Sequence, residues 1–151
     1  MHTLFDVKTR IPCFMIVTPA SVNDMKAMEH VPYKRDSFYI FDRGYNSFGD
    51  LYRIQRLDAF FVFRAKDNLK FRRIYSRPRD NKAVKCDQIG VFTTGKSPVL
   101  YPEKIRKIRY HDVDTGREFI FLTNNFDLTA NEIALLYKNR WQIELFFVFQ
   151  I

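Results

Sequence analysis

Several patterns that mark common functional sites are missing from this chain. Its two cysteines, Cys13 and Cys86, lie far apart, and no histidine stands at metal-ligand spacing from either, which excludes a zinc site. The three histidines form no cluster, and the five glycines include no phosphate-binding loop. No run approaches the roughly 18 apolar residues of a membrane span, and no signal peptide is recognisable. We therefore expect a cytoplasmic protein with no membrane partner.

Positive charge is present in excess and is concentrated in one stretch. The chain has 25 Lys and Arg against 17 Asp and Glu, a net charge of +8. Residues 63–85 hold nine of the basic residues and two aspartates, a local excess of +7. Phe71 and Tyr75 are interleaved with them, a pattern typical of nucleic-acid contacts. A solvated loop is the alternative interpretation. We expect non-specific DNA binding that weakens with added salt.

The best-defined helix begins near Thr129. Thr129 and Glu132 have the spacing of a capping box, which satisfies two backbone N–H groups at a helix start. Tyr137, Arg140 and Glu144 follow at spacings of three and four, so they share one face of the helix. A phenol, a guanidinium and a carboxylate together suit a phosphate and a metal ion, whereas a surface ion pair is the simpler alternative. The predicted buried stripe consists of Ile133, Leu136, Trp141, Leu145 and Val148.

A short buried strand is predicted over residues 37–41, and it ends on Asp42. Four consecutive apolar residues before a glycine turn fit a strand covered on both faces. Open sheets of α/β proteins place their chemistry at the carboxyl ends of such strands. An aspartate that merely begins a turn is an equal alternative.

These two motifs together resemble the DDE transposases of bacterial insertion sequences. The matching residues are Phe-Asp-Arg-Gly-Tyr (41–45) and Tyr137-x2-Arg140-x3-Glu144, the latter similar to the Tyr-Arg-Glu-Lys signature of one branch. Other similar stretches are 2–9, 16–24 and 122–126, so the resemblance runs from His2 to about Phe147.

The resemblance implies an α/β fold, an RNase H-like mixed sheet flanked by helices. It would lack the first core strand and would carry an inserted, mostly-β subdomain. The expected organisation is a first part of the core in 1–65, a basic β-rich insert in 66–117, and the final strand and helix of the core in 118–151.

The resemblance also implies a site. Asp42 would be the second acid and Glu144 the third, both catalytic and both ligands of Mg²⁺ or Mn²⁺, used in DNA strand cleavage and transfer. Tyr137 and Arg140 would contact phosphate. We add five basic residues as expected DNA contacts, namely Arg43, Lys66, Lys70, Arg72 and Arg73. Double-stranded DNA of the transposon ends is the implied partner, and a homodimer is left open.

Two departures from the family pattern affect the expected activity. The first acid of the family would precede residue 1, and Ile151 stands where the signature has lysine. We therefore expect a transposase core fragment that is catalytically incomplete. A non-catalytic basic nucleic-acid-binding domain is the alternative. A third possibility, an α/β domain whose acids are structural, predicts that Asp42 and Glu144 lie far apart.

Overall fold

The computed structural model describes residues 3–4, 15–17, 35–41, 48–65, 69–79, 81–93 and 95–138. Within these ranges the strands are β1 (Thr3–Leu4), β2 (Met15–Val17), β3 (Phe38–Phe41), β4 (Phe60–Arg64), β5 (Phe71–Ser76), β6 (Val84–Phe92), β7 (Ile105–His111) and β8 (Glu118–Thr123). The helices are α1 (Phe48–Arg56), α2 (Ser97–Leu100) and α3 (Ala130–Lys138).

The described strands form one mixed sheet in the order β1-β2-β3-β4-β8-β7-β6-β5. Strands β2, β3 and β4 are parallel, and α1 lies in the connection between β3 and β4, as is usual for parallel neighbours. β1 pairs antiparallel with β2, and the other half of the sheet, from β4 through β8 to β5, is antiparallel throughout. The predicted α/β class with a mixed sheet and flanking helices is confirmed.

The central strands are apolar on both faces because both faces are covered. In β3, Tyr39, Ile40 and Phe41 have no exposed surface, and in β4 Phe61 and Val62 have none. Successive side chains of a strand point to opposite faces. The sheet therefore has a hydrophobic core on each side, and the continuous apolar runs read in the sequence reflect this double burial.

One core lies between the sheet and the helices α1 and α2. It contains Tyr39 and Phe41 of β3, Phe61 and Phe63 of β4, and Leu51 and Ile54 of α1. Tyr101, which follows α2, lies at its centre with edge contacts to Phe61, Phe92 and Tyr52. Burial raises the pKa of the Tyr101 hydroxyl, which donates to Oε1 of Gln55 at 3.1 Å.

The other core lies between the opposite face of the sheet and α3. Its strand residues include Ile40, Val62, Ile108 and Phe121, and its helix residues include Ala130, Ile133, Ala134, Leu136 and Tyr137. The predicted strand ending at Phe41 and the predicted helix after Thr129 thus contribute to the same core, on the face opposite α1.

The segment predicted as an insert supplies β5, β6, β7 and the short helix α2. Its strands continue the sheet through β8, which pairs with β7 on one side and β4 on the other. The β-rich character of this segment is observed, while its boundaries as a separate subdomain stay a prediction. Part of the basic stretch 63–85, for which a solvated loop is the alternative interpretation, forms the strand β5, and Cys86 lies in β6.

Candidate catalytic edge of the sheet

The parallel strands β3 and β4 end together at one edge of the sheet. Their register pairs Phe38 with Phe60 and Phe41 with Phe63, so they run level with each other. We call the edge beyond Phe41 and Arg64 the carboxyl edge, and the opposite edge the amino edge. Asp42 follows Phe41 directly in the sequence and lies outside the described residues.

The turn that leads into α3 is anchored at the amino edge. The side-chain amide of Asn124 bonds both strand β4 and the residue before it. Its Oδ1 accepts from the backbone N–H of Phe61 at 2.8 Å, and its Nδ2 donates to the carbonyl of Ala59 at 2.9 Å. Because Ala59 and Phe61 lie where β4 begins, the chain enters α3 from the amino edge.

The last described turn of α3 lies at the carboxyl edge. Lys138 Nζ is 3.0 Å from Oδ1 of Asp112, the residue that follows β7. In the sheet, His111 at the end of β7 pairs with Glu118 at the start of β8. The start of β8 adjoins the end of its antiparallel neighbour β4. Helix α3 therefore runs from the amino edge to the carboxyl edge, in the same direction as β3.

The predicted capping box forms at the start of this helix. Thr129 Oγ1 accepts from the N–H of Glu132 at 3.1 Å, and Glu132 Oε1 accepts from the N–H of Thr129 at 3.2 Å. Each side chain satisfies one backbone donor of the first turn. The helix start predicted from the sequence is thus confirmed.

Tyr137 faces the sheet. Its side chain is 5% exposed, and its ring centroid lies 4.9 Å from that of Phe121 and 6.0 Å from that of Phe119. The sequence predicts Tyr137 on a functional face and Ile133 in the buried stripe. The two residues are four positions apart and share one face, so both reach the core. A contact between Tyr137 and phosphate stays a prediction.

Asp112 is already engaged by its neighbours. Its carboxylate accepts from Lys138, from Thr115 Oγ1 at 2.9 Å and from the N–H of Asp114 at 3.2 Å. The bond from Lys138 does most to lower the pKa of Asp112, and the bond to Asp112 raises the pKa of Lys138. Strand β7 lies three strand spacings from β3, about 14 Å. Asp112 is thus a partner of α3 and lies well away from the end of β3.

Basic side chains gather on one face of β5 and β7, on the side of the sheet that carries α1. Arg73 lies opposite Gly90, and Gly90 lies opposite Ile105, so these residues share a face. Lys107 and Arg109 follow Ile105 at alternate positions and share it too. Arg73 and Arg109 are exposed, and Lys107 is half-buried with Nζ 5.2 Å from the Phe71 ring centroid.

Lys107 and Arg109 were not predicted as DNA contacts, because they lie outside the 63–85 stretch in which the positive charge is concentrated. The alternation of basic and apolar residues from Lys107 to Tyr110 is the signal that could have found them. Of the DNA contacts predicted earlier, Lys70 and Arg72 are exposed as well, at the start of β5.

The remaining predicted site residues lie outside the described residues, namely Asp42, Arg43, Lys66, Arg140 and Glu144. Among the residues that are described, no group of three or more His, Cys, Asp or Glu could hold a metal ion. The described helices are all too short or too polar to cross a membrane.

Comparison with known proteins gives two relatives that match nearly the whole chain. "Putative transposase y4zB" of Sinorhizobium fredii is 34% identical over 152 aligned residues, covering 97% of this chain and 42% of the relative. "Probable transposase for insertion sequence element IS5377" of Geobacillus stearothermophilus is 26% identical over 155, covering 97% of this chain and 39% of the relative. The chain thus spans about two fifths of the length of these relatives. No solved structure matches it significantly.

A family model, described as the transposase DDE domain, matches residues 1–149. The match includes both β3 with the residues that follow it and the whole of α3. The mixed sheet, with helices on both faces, agrees with the RNase H-like core expected for such a domain. This chain belongs to the family of transposases with a DDE domain.

Proposed function

We propose that this chain carries two acids of a transposase catalytic core, Asp42 and Glu144, and that they bind a shared divalent metal at the carboxyl edge. The observation that carries the proposal is the direction of α3. This helix packs over β4 and β8 in the direction in which β3 runs, and its last described turn lies at the carboxyl edge, where β3 also ends. The two motifs that the sequence places about 100 residues apart are thereby directed to one place.

The alternation of β3 supports a position for Asp42 on the face that α3 covers. Tyr39 and Phe41 belong to the core under α1, whereas Ile40 belongs to the core under α3. Residue 42 stands two positions after Ile40, and residues two positions apart in a strand share a face. A strand that keeps its alternation for one more residue directs the carboxylate of Asp42 to the side of α3.

The periodicity of α3 supports the same side for Glu144. Seven residues separate Glu144 from Tyr137, and at about 100° per residue they differ by about 20° in azimuth. The Tyr137 ring packs on Phe121 and Phe119 of the sheet. A helix that continues past Lys138 therefore carries Glu144 on its sheet-facing side, toward the carboxyl edge.

The chemistry of the two side chains fits Mg²⁺ or Mn²⁺. Both are hard carboxylate donors, and Mg²⁺ takes one or two carboxylates while it keeps several waters. When bound, the metal polarises phosphate oxygens and activates water for DNA strand cleavage and transfer. Asp42 and Glu144 would hold it. Arg43 and Arg140 would hold the DNA phosphates beside it.

The basic face of β5 and β7 supports transposon-end DNA as the partner. Arg73, Lys107 and Arg109 share this face, and Lys70 and Arg72 are exposed nearby. Lys66 precedes them in the sequence. Each neutralised phosphate releases counterions, so affinity should fall steeply with salt. A cytoplasmic location and a homodimer are further expectations of the proposal.

A polypeptide of these 151 residues should bind metal and DNA without cleaving the DNA. Two carboxylates hold the ion less firmly than the three of the family pattern, and Ile151 supplies no ammonium group for the DNA. A Mg²⁺-dependent nicking assay on duplex DNA should show no product. Accumulation of nicked or joined strands would contradict this part of the proposal.

The shared metal is tested by a double-mutant cycle on Mn²⁺ affinity, measured by the electron paramagnetic resonance signal of free Mn²⁺. Asp42→Asn and Glu144→Gln should each raise the dissociation constant, and the double variant should be little weaker than either single one, because one ion needs both groups. Additive losses, or unchanged affinity in either single variant, would show that the two side chains do not share an ion.

The second candidate function is non-catalytic nucleic-acid binding, which the basic face favours by itself. The variant Lys107→Gln should reduce the salt slope of duplex binding by about 0.9, whereas Arg35→Gln should leave the slope unchanged. Arg35 is exposed at the start of β3, five strand spacings or about 24 Å from β5. DNA binding without the Mn²⁺ coupling described above would favour this second function.

A further inference from the structure

The basic face is covered near the amino edge and open toward the carboxyl edge. Near the amino edge, Phe92 of β6 and Ile105 of β7 are buried in the core under α1 and α2. Further along the same two strands and on the same face, Gln88 and Lys107 are half-buried and Arg109 is exposed. Among the described helices, α1 and α2 therefore cover only the amino-edge part of this face, and α3 packs on the opposite one.

The middle strand of the uncovered part, β6, carries no charge on this face. Its residues there are Gly90, Gln88 and Cys86, which stand at alternate positions along the strand. Gly90 has no side chain, and Cys86 is a small, half-buried free thiol. The centre of the basic face is therefore low and neutral.

The strands on either side of β6 carry the cations. Arg73 stands on β5, and Lys107 and Arg109 stand on β7. The strands β5 and β7 lie two strand spacings apart, about 10 Å, and side chains stand roughly perpendicular to a sheet. The three long side chains therefore flank the smaller ones of β6 and form a trough that follows this strand.

Acids do not neutralise the trough. Among the described residues, no carboxylate forms an ion pair with Arg73, Lys107 or Arg109. In the described strands β5–β8, the one acid on this face is Glu118 of β8, which pairs with His111 at the carboxyl edge. Three uncompensated positive charges around a neutral floor favour a linear polyanion as the occupant.

Two of the cations are held in place by neighbours that leave their charge available. Arg73 Nη1 donates to Ser76 Oγ at 3.2 Å. Lys107 Nζ lies 5.2 Å from the ring centroid of Phe71, a cation–π contact that restrains the long side chain without neutralising it. A side chain that is already held loses less conformational freedom when it binds a ligand. These contacts therefore prepare the trough to bind an anion.

We propose that the trough binds the phosphodiester backbone of one DNA strand, which runs along β6 between the cations of β5 and β7. This inference depends on the proposed function only for DNA as the partner. Contacts to phosphate carry no sequence information, so the trough should bind DNA of any base sequence. Because α3 lies on the opposite face of the sheet, the trough holds this strand independently of any contact that α3 makes.

The salt dependence of DNA binding tests this site in the full chain. The variant Arg73→Gln/Lys107→Gln/Arg109→Gln should lose three phosphate contacts. The slope of log affinity against log salt should fall by about 2.7 for duplex DNA and by about 2.1 for single-stranded oligothymidine. A decrease for duplex DNA alone would indicate contacts that span a groove of the duplex, and it would overturn the binding of a single backbone.

A second triple variant controls for net charge. Arg35→Gln/Arg56→Gln/Lys96→Gln removes the same charge from exposed positions outside the trough. Its slopes should stay close to those of the wild type. Equal decreases in the two triple variants would assign the effect to the charge of the whole protein and would contradict a local site.

The thiol of Cys86 provides a probe of the trough that leaves all of its cations in place. With Cys13→Ser, Cys86 is the only cysteine of the chain. Saturating duplex DNA should slow the alkylation of Cys86 by N-ethylmaleimide several-fold, because the bound strand covers the floor of the trough. Val99→Cys, in a chain with both native cysteines changed to serine, is the control. Val99 is 81% exposed on α2, so DNA should leave the alkylation rate at this position unchanged.

The outcomes distinguish this inference from the proposed function. The trough is wrong if the wild type binds DNA but the first triple variant keeps the wild-type slopes, or if DNA leaves the alkylation of Cys86 unchanged. The thiol measurement decides by itself if the triple variant does not fold. Additive losses of Mn²⁺ affinity in Asp42→Asn and Glu144→Gln, together with the slopes expected here, would instead contradict the proposed metal site and leave the trough intact.

Discussion

At the scale of single residues, Gly90 determines how closely β5 and β6 approach. A Cβ at this position would overlap the carbonyl oxygen of Arg72 and the ring of Phe71. The strands also shift register between Arg73 and Tyr75, beside this contact. A glycine inside a strand often marks such a close approach of another backbone.

The variant Gly90→Ala should therefore lower the free energy of unfolding by about 1–3 kcal/mol, the range for overpacking a tight contact. Urea denaturation followed by circular dichroism measures the change. Gly49→Ala is the matched control, since Gly49 lies in α1 with nothing within 4 Å of an added Cβ. That change should be neutral or stabilising by up to about 1 kcal/mol. Equal effects of the two substitutions would contradict the close approach.

The ion pair between Asp112 and Lys138 predicts a pH dependence. The pKa of Asp112 is lowered in the folded state, chiefly by the bond from Lys138. The unfolded state then binds a proton more readily, so the contribution is present above about pH 4 and is lost as the pH falls through the lowered pKa. At pH 7 the wild type should unfold at a higher urea midpoint than Asp112→Asn. The difference between the two midpoints should shrink below about pH 4.

Asp114 supplies the control for this pH dependence. It lies 3.5 Å from Lys138 but is 85% exposed, and exposed ion pairs contribute little. Asp114→Asn should leave the midpoint nearly unchanged at both pH values. If the urea midpoints of wild type and Asp112→Asn differ as much in acid as at pH 7, the charge of the Asp112 carboxylate is not the source of the stabilisation.

At the scale of elements, α3 is the part of the site that the sequence predicts best. Its cap depends on residues three positions apart, and its buried face on a repeat of three and four, both local patterns. The hydrogen bonds that Arg106 donates to the carboxylate of Asp87 and the carbonyl of Leu128 could not be predicted in this way. They join residues 19 and 22 positions away, and only the register of β6 with β7 brings Asp87 to Arg106.

The capping box gives a direct prediction for this helix. Thr129→Ala removes the side-chain acceptor for the N–H of Glu132 and should lower the free energy of unfolding by about 1 kcal/mol. Thr129→Ser keeps the hydroxyl and should retain most of that stability. Chemical denaturation of the three proteins provides the measurement. A loss in the serine variant as large as in the alanine variant would assign the effect to packing of the threonine methyl group.

At the scale of the whole molecule, the sheet brings distant parts of the chain to one edge. The sequence predicts that β3 is buried on both faces, since its apolar run is continuous, and the structure confirms it. It predicts that the segment 66–117 is rich in strands, and β5, β6 and β7 lie there. The continuity of β5–β7 with the core sheet through β8 was not predictable, because strand order depends on pairings between residues far apart, such as Val62 with Thr123.

The order of the strands in the sheet explains why the sequence predicted only part of the basic face. Lys107 and Arg109 join Arg73 only because β6 lies between β5 and β7 and its residues set the shared face. Charge counted along the sequence finds Lys70 and Arg72, whereas charge counted on the sheet also finds the residues of β7. The basic face is assembled from strands that lie apart in the sequence, so it becomes visible only when the strand order is known.

The proposed function requires positions 42 and 144 to lie side by side at the carboxyl edge, on the face covered by α3. Cysteines placed by Asp42→Cys and Glu144→Cys, in a chain with Cys13→Ser and Cys86→Ser, test it through cross-linking with a short bifunctional maleimide. The control pair is Asp58→Cys with Glu144→Cys, because Asp58 is exposed at the amino edge.

Mass spectrometry of the digested chain should show a linked peptide pair for positions 42 and 144 and none for positions 58 and 144. Efficient linkage is the result that the direction of α3 predicts. Absence of the 42–144 product, in a chain whose thiols each react with a monofunctional maleimide, would contradict a shared metal site.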